Sequence, residues 1–294
     1  MTSLSGARPT PVPAGPAVPD LDTLRARIGV RLDALCGTGE PLHEAMRYAL
    51  VAPGKRVRPL LVLLIAGEGR QALDAACAVE MVHAASLMLD DLPCMDDARL
   101  RRGRATAHLR HGEASTILGA VALIARAFEV IARLDIDADS RAELSAALSN
   151  AIGAEGMAAG QDRDVAGQAS TLEEVETVNR LKTAVLFTAA ARMGGILSAL
   201  DTDARAHVEA FATEFGMAFQ IADDALDLAP DPARTGKDVG ADAGKPTILA
   251  TGGAVAAREL RGRHLDAADR ALAQAGIDPA ALSSFLRPFR DALT

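Results

Sequence analysis

The feature that most constrains the fold is a long apolar segment at residues 72–89, with the sequence ALDAACAVEMVHAASLML. A helix formed by these residues would be apolar almost all the way round, which is typical of a helix in the middle of a bundle. Residues 211–228 show nearly the same pattern. Because both helices must be covered by other elements, we predict an all-α fold.

The rest of the sequence from residue 20 onward is also helical in character. Segments rich in Ala, Leu and Val alternate with short clusters of Gly, Pro or Asp, and few stretches alternate as strands do. We predict a single-domain bundle over residues 20–294. Its helices are expected at residues 21–36, 41–51, 57–67, 71–91, 114–134, 139–160, 172–198, 203–228, 246–275 and 279–292. Residues 1–19 contain five prolines and no apolar core, so we predict a disordered tail and not a secretion signal.

Composition argues against several classes of protein. The chain has a formal net charge of −8, a pI near 5.3 and few aromatic residues, which disfavours a nucleic-acid partner. Its longest purely apolar run, residues 60–66, is far shorter than the ~20 residues that span a bilayer, so we predict no membrane span. Cys36, Cys77 and Cys94 are widely spaced. They indicate neither a disulfide framework nor a zinc site, and they favour a reducing cytoplasm.

Both apolar segments end in aspartates, although carboxylates at the C-terminal end of a helix oppose its dipole and destabilise it unless a cation intervenes. Asp223, Asp224 and Asp227 would project from one face of a regular helix. Asp90 and Asp96 are six residues apart and would diverge on a straight helix. We therefore expect Pro93, which lies between them, to distort the backbone so that both carboxylates point the same way.

The two acidic clusters together predict a site for hard divalent cations. Carboxylates without His or Cys are the ligands expected for Mg²⁺ shared with a phosphate substrate. For one cluster alone, solvated charges at a helix end are an equally good interpretation.

The rarity of lysine indicates an anionic ligand. Of 31 basic residues only four are lysine, namely Lys55, Lys182, Lys237 and Lys245. A lysine ammonium is a compact donor to a phosphate oxygen, a role in which the planar arginine fork is a poor substitute. Arginines accompany Lys55 and follow the first acidic cluster, so acid and base alternate around the presumed cavity. This pattern suits a metal ion bridged to a polyanion such as diphosphate, although residues 101–104 alone are also compatible with a solvated turn.

These motifs resemble, in their order along the chain, those of the short-chain trans-isoprenyl diphosphate synthases of the polyprenyl synthetase family. The likeness is greatest to bacterial geranylgeranyl diphosphate synthases of carotenoid pathways. The matching segments are GKRVRP, VHAASLMLDDLPCMDD with RLRRG, GMAAGQDRD, LKT, FQIADD and GKDVGADAGKPT. The resemblance implies the isoprenoid synthase fold, an all-α homodimer in which Mg²⁺ holds an allylic diphosphate between two acidic helices.

The resemblance also implies roles for individual residues. Three Mg²⁺ ions would be held by the acidic clusters, with Asp90 and Asp96 supported by Asp91, and Asp223 supported by Asp224 and Asp227. The allylic diphosphate would be bound by Arg101, Lys182 and Lys237. Isopentenyl diphosphate would be bound by Lys55, Arg58, His83 and Arg102, although His83 is also compatible with a core histidine. The reacting region would be lined by Gln161, Thr183 and Gln220.

The implied reaction is ionisation of an allylic diphosphate, attack by isopentenyl diphosphate and loss of a proton, which lengthens the chain by five carbons. Ala85 and Ser86 lie about one turn before Asp90, and their small size leaves room for a long tail. We therefore expect geranylgeranyl diphosphate as the product. A farnesyl diphosphate synthase and a catalytically silent partner subunit are the alternatives. A terpene cyclase is disfavoured because the chain has no Trp and one Tyr.

Overall fold

The protein folds into a bundle of helices, which confirms the all-α prediction. The computed structural model describes residues 20–167, 169–227, 246–277, 280 and 282–286, with backbone only at 226 and 227. The helices are α1 Leu21–Cys36, α2 Pro41–Leu50, α3 Val57–Ala66, α4 Arg70–Asp90, α5 Ala107–His111, α6 Glu113–Ala132, α7 Ala138–Ile152, α8 Met157–Val165, α9 Leu172–Asn179, a π-helix Arg180–Ala184, α10 Val185–Leu197, α11 Thr202–Asp227 and α12 Ile248–Gln274. The predicted tail, residues 1–19, lies outside the described residues, so the division into tail and domain stays a prediction.

Helix α4 lies at the centre of the bundle, as its apolar circumference predicts. Residues 75–79 along it are completely buried, and α3, α6 and α10 pack against it. Their mostly small side chains let the neighbouring helices approach closely. Helix α11 packs between α10 and α12, and its Phe211 and Phe215 are fully buried in the same core. The two helices that carry the acidic clusters are therefore held rigidly along their length.

Two helices of the described chain, α4 and α6, are long and apolar enough to cross a membrane by length and composition alone. The apolar window of α4 is 72% buried inside the bundle, as expected for a core helix, whereas that of α6 is 39% buried. Much of the apolar surface of α6 is therefore not covered by the bundle.

Two of the predicted helices were wrong in detail, and a short hairpin and helix α5 were not predicted. The helix expected at 139–160 is divided into α7 and α8, because Gly153 and Gly156 turn the chain between them. A Cβ atom at Gly156 would lie only 2.4 Å from the carbonyl oxygen of Ala151, so only glycine fits there. The helix expected at 172–198 contains a π-helical turn, and a short antiparallel hairpin, β1 Leu100–Arg101 and β2 Arg104–Ala105, was not predicted.

The remaining predicted helices agree with the structure to within two residues at each end, where they can be compared. Only residues 280 and 282–286 of the helix expected at 279–292 are described, and they are helical. The glycine-containing segment 236–246 lies outside the described residues except for Pro246.

A close contact between α8 and the π-helix depends on Gly160. A Cβ atom at Gly160 would lie 2.5 Å from the backbone nitrogen of Lys182 and 2.8 Å from the carbonyl carbon of Leu181. Because backbone atoms of two elements meet there, neither can move aside as a flexible side chain would. Gly160 therefore fixes the distance between α8 and the segment that carries Lys182.

We predict that Gly160→Ala lowers the free energy of unfolding by about 1–3 kcal/mol, since the added methyl group must separate two packed backbones. The matched control is Gly262→Ala in α12, where the added Cβ would have nothing within 4 Å. That change should be neutral or stabilise by up to about 1 kcal/mol. Urea unfolding of both variants checks this, and equal stabilities would refute the close-contact interpretation.

Candidate active site

A cavity of about 350 Å³ opens at the ends of α4 and α11. Its walls come from the loop after α2, the start of α3, the second half of α4, the hairpin, α8, the π-helix and α11. The predicted site residues that line it are Lys55, Arg58, His83, Ser86, Asp90, Asp96, Arg101, Arg102, Gln161, Lys182, Thr183, Gln220, Asp223 and Asp224. Residues from seven segments of the chain thus meet in one space.

The first acidic cluster is shaped by the way α4 ends. The helix stops at Asp90, and the chain then turns back until the backbone N–H of Asp96 donates to the carbonyl oxygen of Asp90 at 2.9 Å. Pro93 lies in this turn and has no N–H with which to continue the helix. We expected Pro93 to distort a continuing helix. Instead the helix terminates, and the turn brings Asp96 to the same cavity as Asp90.

Asp90 is a strongly desolvated carboxyl group. The pKa of Asp90 is raised to about 6; burial is the largest cause and Asp96 and Asp91 contribute, whereas Lys182 and Arg101 oppose the shift. The cationic groups of the protein alone therefore do not compensate for the loss of water around this carboxylate. An additional cation beside Asp90 would favour its ionised form.

Asp91 is placed differently from its predicted role as a supporting metal ligand. It is 2% exposed and does not line the cavity. Its Oδ1 accepts hydrogen bonds from Nε and Nη2 of Arg101 at 2.9 and 2.5 Å. Burial raises the pKa of Asp91, and Arg101 opposes that shift. The geometry makes Asp91 the residue that orients Arg101.

On α11, a chain of hydrogen bonds fixes the polar side chains at the cavity. Thr183 Oγ1 donates to Gln220 Oε1 at 2.6 Å, and Gln220 Nε2 donates to Asp224 Oδ1 at 2.6 Å. Gln220, Asp223 and Asp224 all line the cavity. The side chain of Asp227 and all of Lys237 lie outside the described residues, so their predicted roles stay predictions.

The π-helix presents Lys182 and Thr183 to the cavity, and such turns are frequent at functional sites. Lys182 Nζ lies 2.6 Å from Asp164 Oδ2 of α8. Asp164 was not among the predicted site residues, although it ends the quoted segment GMAAGQDRD. Gln161 lies one turn earlier, and neither polar atom of its buried amide has a hydrogen-bond partner in the described structure. This amide is available to a ligand in the cavity.

The basic wall of the cavity is built around Arg58 and His83. Arg58 stacks on Phe187, with its Cζ 4.3 Å from the ring centroid, and its Nη1 lies 3.3 Å from His83 Nε2. Burial lowers the pKa of Arg58 to about 10. Burial and then Arg58 and Arg102 hold the pKa of His83 well below its ordinary value, so the ring is neutral. Because a guanidinium can only donate, Nε2 of His83 must accept, which places the ring proton on Nδ1.

Ala85 and Ser86, which were both predicted to lie beside the substrate, differ in their position relative to the cavity. Ser86 lines the cavity, and its hydroxyl donates to the carbonyl oxygen of His83 at 2.9 Å. Ala85 is completely buried in the core and does not line the cavity. Its influence on the tail of a ligand would therefore act from behind the cavity wall.

Several residues of the cavity wall were missed by sequence reasoning, including Glu80, Asp164, Asn179 and Phe219. Phe219 directly precedes Gln220 in the motif FQIADD, and its ring lies 5.4 Å below Lys55 Nζ. Glu80 is the only acidic residue inside the apolar part of residues 76–89. A lone charge on an apolar helix is rarely buried without a partner, and this signal could have identified Glu80.

The donors at the cavity suit a hard cation, since the acidic clusters offer only carboxylate oxygens. Among the described residues, no three His, Cys, Asp or Glu side chains converge closely enough to hold a metal ion. Mg²⁺ commonly keeps water and takes only one or two carboxylates, with phosphate oxygens completing its shell. Asp90, Asp96, Asp223 and Asp224 therefore fit Mg²⁺ that is shared with a diphosphate.

The sequence model of the polyprenyl synthetase family matches residues 39–268. The chain belongs to the polyprenyl synthetase family. It is 44% identical over 251 residues to a geranylgeranyl diphosphate synthase of Pseudescherichia vulneris, covering 82% of this chain and 81% of that protein. It is 39% identical over 256 residues to a farnesyl diphosphate synthase of Geobacillus stearothermophilus, covering 82% and 85%.

Among solved structures, the fold resembles geranyltransferase from Helicobacter pylori in complex with magnesium and isoprenyl diphosphate. The TM-score is 0.81 at 26% sequence identity, and the match covers 95% of this chain and 99% of that one. The family match spans every cavity-lining residue from Gly54 to Thr247. The cavity thus lies entirely within the part of the chain that matches the family.

Proposed function

We propose that this polyprenyl synthetase is a Mg²⁺-dependent trans-prenyltransferase. It condenses isopentenyl diphosphate with an allylic diphosphate, which is dimethylallyl, geranyl or farnesyl diphosphate, and its product is geranylgeranyl diphosphate. The observation that carries the proposal is the meeting of Asp90 and Asp96 with Asp223 and Asp224 in one cavity that Lys182 and Arg101 also line. This arrangement offers both charges that a metal-bound diphosphate requires.

The allylic diphosphate is bound on the acidic side of the cavity. By analogy with the family, three Mg²⁺ ions would be bound here. They would neutralise the charge that accumulates on the departing diphosphate. Arg101, oriented by Asp91, and Lys182, held by Asp164, add donors to its oxygens. Thr183 and Gln220 keep the neighbouring polar wall in one arrangement. Because these groups are fixed before the substrate binds, little reorganisation is needed when the bond ionises.

Isopentenyl diphosphate is bound on the basic wall, by Lys55, Arg58 and Arg102, with His83 holding Arg58. This wall fixes the double bond near the allylic carbon, so that attack becomes an intramolecular event. His83 is neutral, but its accepting nitrogen faces Arg58 and is thereby occupied. We therefore propose that the departing diphosphate takes the proton in the last step.

The product assignment rests on the small residues near the end of α4 and on the similarity to a geranylgeranyl diphosphate synthase. The protein of Pseudescherichia vulneris is named a geranylgeranyl diphosphate synthase, whereas that of Geobacillus stearothermophilus is named a farnesyl diphosphate synthase. The shorter product is therefore the alternative. Ala85 and Ser86 favour the longer tail because neither side chain closes the space one turn from Asp90. Supply of a carotenoid pathway is part of this proposal.

We further propose that the protein is a homodimer that uses the exposed face of α6. The face consists of Ile117, Leu118 and Val121, which are 42%, 59% and 57% exposed, and Leu109 of α5 adds 48%. The opposite face of α6 packs on α2 and α4. Adjacent apolar side chains on one side of a packed helix are typical of a subunit interface.

A cytoplasmic location completes the proposal. Cys36, Cys77 and Cys94 are free thiols, and Cys94 is exposed. A free thiol that is exposed to solvent is maintained in a reducing compartment. In the part of the chain that the structure describes, the basic residues of the cavity are those proposed to bind diphosphate. They do not form a further basic surface that would suggest a nucleic-acid partner.

We predict that the purified protein, given Mg²⁺, isopentenyl diphosphate and farnesyl diphosphate, forms geranylgeranyl diphosphate. Asp223→Asn should lower turnover by about 100-fold or more, because it removes a charge that holds the metal-bound leaving group. The control is Asp203→Asn, an exposed position in the first turn of the same helix. Radiolabelled product formation and far-UV circular dichroism are measured. A cyclised hydrocarbon, no product, or an active Asp223→Asn protein would reject the proposal.

We predict that Ala85→Phe shortens the product, because the aromatic ring must displace the cavity wall into the space for the tail. The buried site is overpacked by this change, at a cost of about 1–3 kcal/mol, so Ser86→Phe is tested beside it. Ser86→Ala is the control and should leave the product unchanged. Chromatography of the dephosphorylated products gives the chain lengths. The tail argument fails if both Phe variants still make the twenty-carbon product.

We predict that Leu118→Glu converts the dimer to a monomer, because a carboxylate would be buried against the apolar face of the second copy. Val30→Glu on α1 is the matched control, since Val30 is an apolar residue of another helix and is 73% exposed. Sedimentation equilibrium of the three proteins gives their masses. A wild-type monomer, or a dimer that survives Leu118→Glu, would contradict the assignment of this face.

A further inference from the structure

A nearly buried carboxylate in the cavity wall joins two parts of the basic wall. Glu80 lies on α4, and its side chain is 2% exposed. Its Oε1 is hydrogen-bonded to Nη1 of Arg56 and lies 3.8 Å from Nη2 of Arg102. The mechanism described above gives neither Glu80 nor Arg56 a part, although both lie among the residues that bind the non-allylic substrate.

Three of the five N–H donors of Arg56 are bound by groups of the protein. Its Nη2 donates to the carbonyl oxygens of Leu50 and Ala52, each at 2.8 Å, while Nη1 is bound to Glu80. The residue is 7% exposed and has a left-handed backbone, with φ 50° and ψ 39°, directly after Lys55. A left-handed non-glycine residue costs free energy and persists only where its surroundings hold it. The hydrogen bonds to Glu80 and to the two carbonyl oxygens keep Arg56 in this conformation. They also fix the loop that presents Lys55.

Arg102 is fixed to the same loop from the hairpin side. Its Nη1 donates to the carbonyl oxygen of Ala52 at 3.2 Å. Its guanidinium also lies flat against Gly54, where a Cβ atom would be only 2.9 Å from Arg102 Cζ. Like Arg56, Arg102 has a left-handed backbone, with φ 55°. Glu80 and the Ala52 carbonyl therefore connect the hairpin and the loop through two arginines.

We propose that Glu80 is a positioning residue for isopentenyl diphosphate, which holds Arg102 directly and Lys55 through Arg56 in the arrangement that binds the diphosphate. This inference rests on the proposed function. Glu80 does not bind the substrate in this role, since its side chain is 2% exposed and its carboxylate is engaged by the two guanidinium groups. It acts by keeping the cations of the loop and of the hairpin at a fixed separation.

Two effects of Glu80 on an anionic ligand have opposite signs. Its negative charge lowers the positive potential of the wall, so removing the charge alone would tighten anion binding. Its position holds two guanidinium groups that would otherwise repel each other, so removing the contact would weaken binding. The positional effect should dominate because both arginines adopt strained backbones that depend on their partners. Two substitutions separate the effects, since one removes the charge and the other moves it.

The test measures steady-state kinetics of wild type, Glu80→Gln and Glu80→Asp. Glutamine keeps the length but loses the charge, whereas aspartate keeps the charge and withdraws it by one methylene group. For both variants we expect the KM for isopentenyl diphosphate, at saturating farnesyl diphosphate, to rise about tenfold or more. The KM for farnesyl diphosphate and kcat should change by less than about threefold, because Arg101 and Lys182 have other carboxylate partners.

The matched control is Asp74→Asn on the same helix. Asp74 is also buried and ion-paired, with its Oδ1 2.5 Å from Arg31 Nε, but it lies away from the cavity. This change should lower stability without altering either KM. A merely structural role for Glu80 predicts the behaviour of Asp74, with reduced stability and unchanged KM values, and would overturn the inference. The inference would also be overturned if Glu80→Gln lowered the KM for isopentenyl diphosphate and Glu80→Asp left it unchanged, since that result indicates an effect of charge alone.

Failure of the inference and failure of the proposed function give different results. If wild type does not elongate farnesyl diphosphate, the proposed function is wrong and the inference falls with it. If wild type elongates normally and both Glu80 variants keep its KM for isopentenyl diphosphate, only the inference is wrong.

Discussion

The burial of charge at the ends of apolar helices is the constraint on which the rest of the structure depends. Helices α4 and α11 are buried along much of their length, and each ends in carboxylates where the helix dipole is also negative. Such ends are tolerable only if cations approach them from neighbouring elements. The loop after α2, the hairpin and the π-helix each supply one, through Lys55, Arg101 and Lys182. The elements that depart from regular α-helix are therefore those that deliver charge to the cavity.

Three of the cations predicted to bind the substrates lie beside carboxylates of the protein. Arg101 is paired with Asp91, Lys182 with Asp164, and Arg102 approaches Glu80. Each carboxylate offsets the cost of burying its cation and fixes the geometry of that cation before a ligand is present. Because the guanidinium and ammonium groups have further N–H donors, a diphosphate can bind these cations without separating the pairs. The substrate-facing cations are thus held by carboxylates, of which Asp91 and Glu80 are almost completely buried.

The parts of this arrangement that sequence reasoning found are those encoded by local pattern. The helix boundaries follow from periodicity, and the two aspartate clusters are visible because they end apolar segments. The pairing of Lys182 with Asp164 depends on how α8 lies against the π-helix, which Gly160 permits through contact between backbones. No periodic pattern records such a contact between distant segments. The placement of Asp91 behind Arg101 was missed for a similar reason, since it follows from a turn and a hairpin that have no repeating signal.

The free energy needed to keep Asp90 ionised shows why a site of this kind requires its ligands. With the pKa of Asp90 raised from 3.8 to about 6, ionisation costs the folded state about 3 kcal/mol relative to the unfolded chain. The stabilisation from the protonated form is fully present below pH 3.8 and is lost as the pH rises through about 6. At neutral pH the fold therefore carries this cost in full. The packing of α4 against α3, α6 and α10 keeps the carboxylate in place, so affinity for a cation is obtained at the expense of stability.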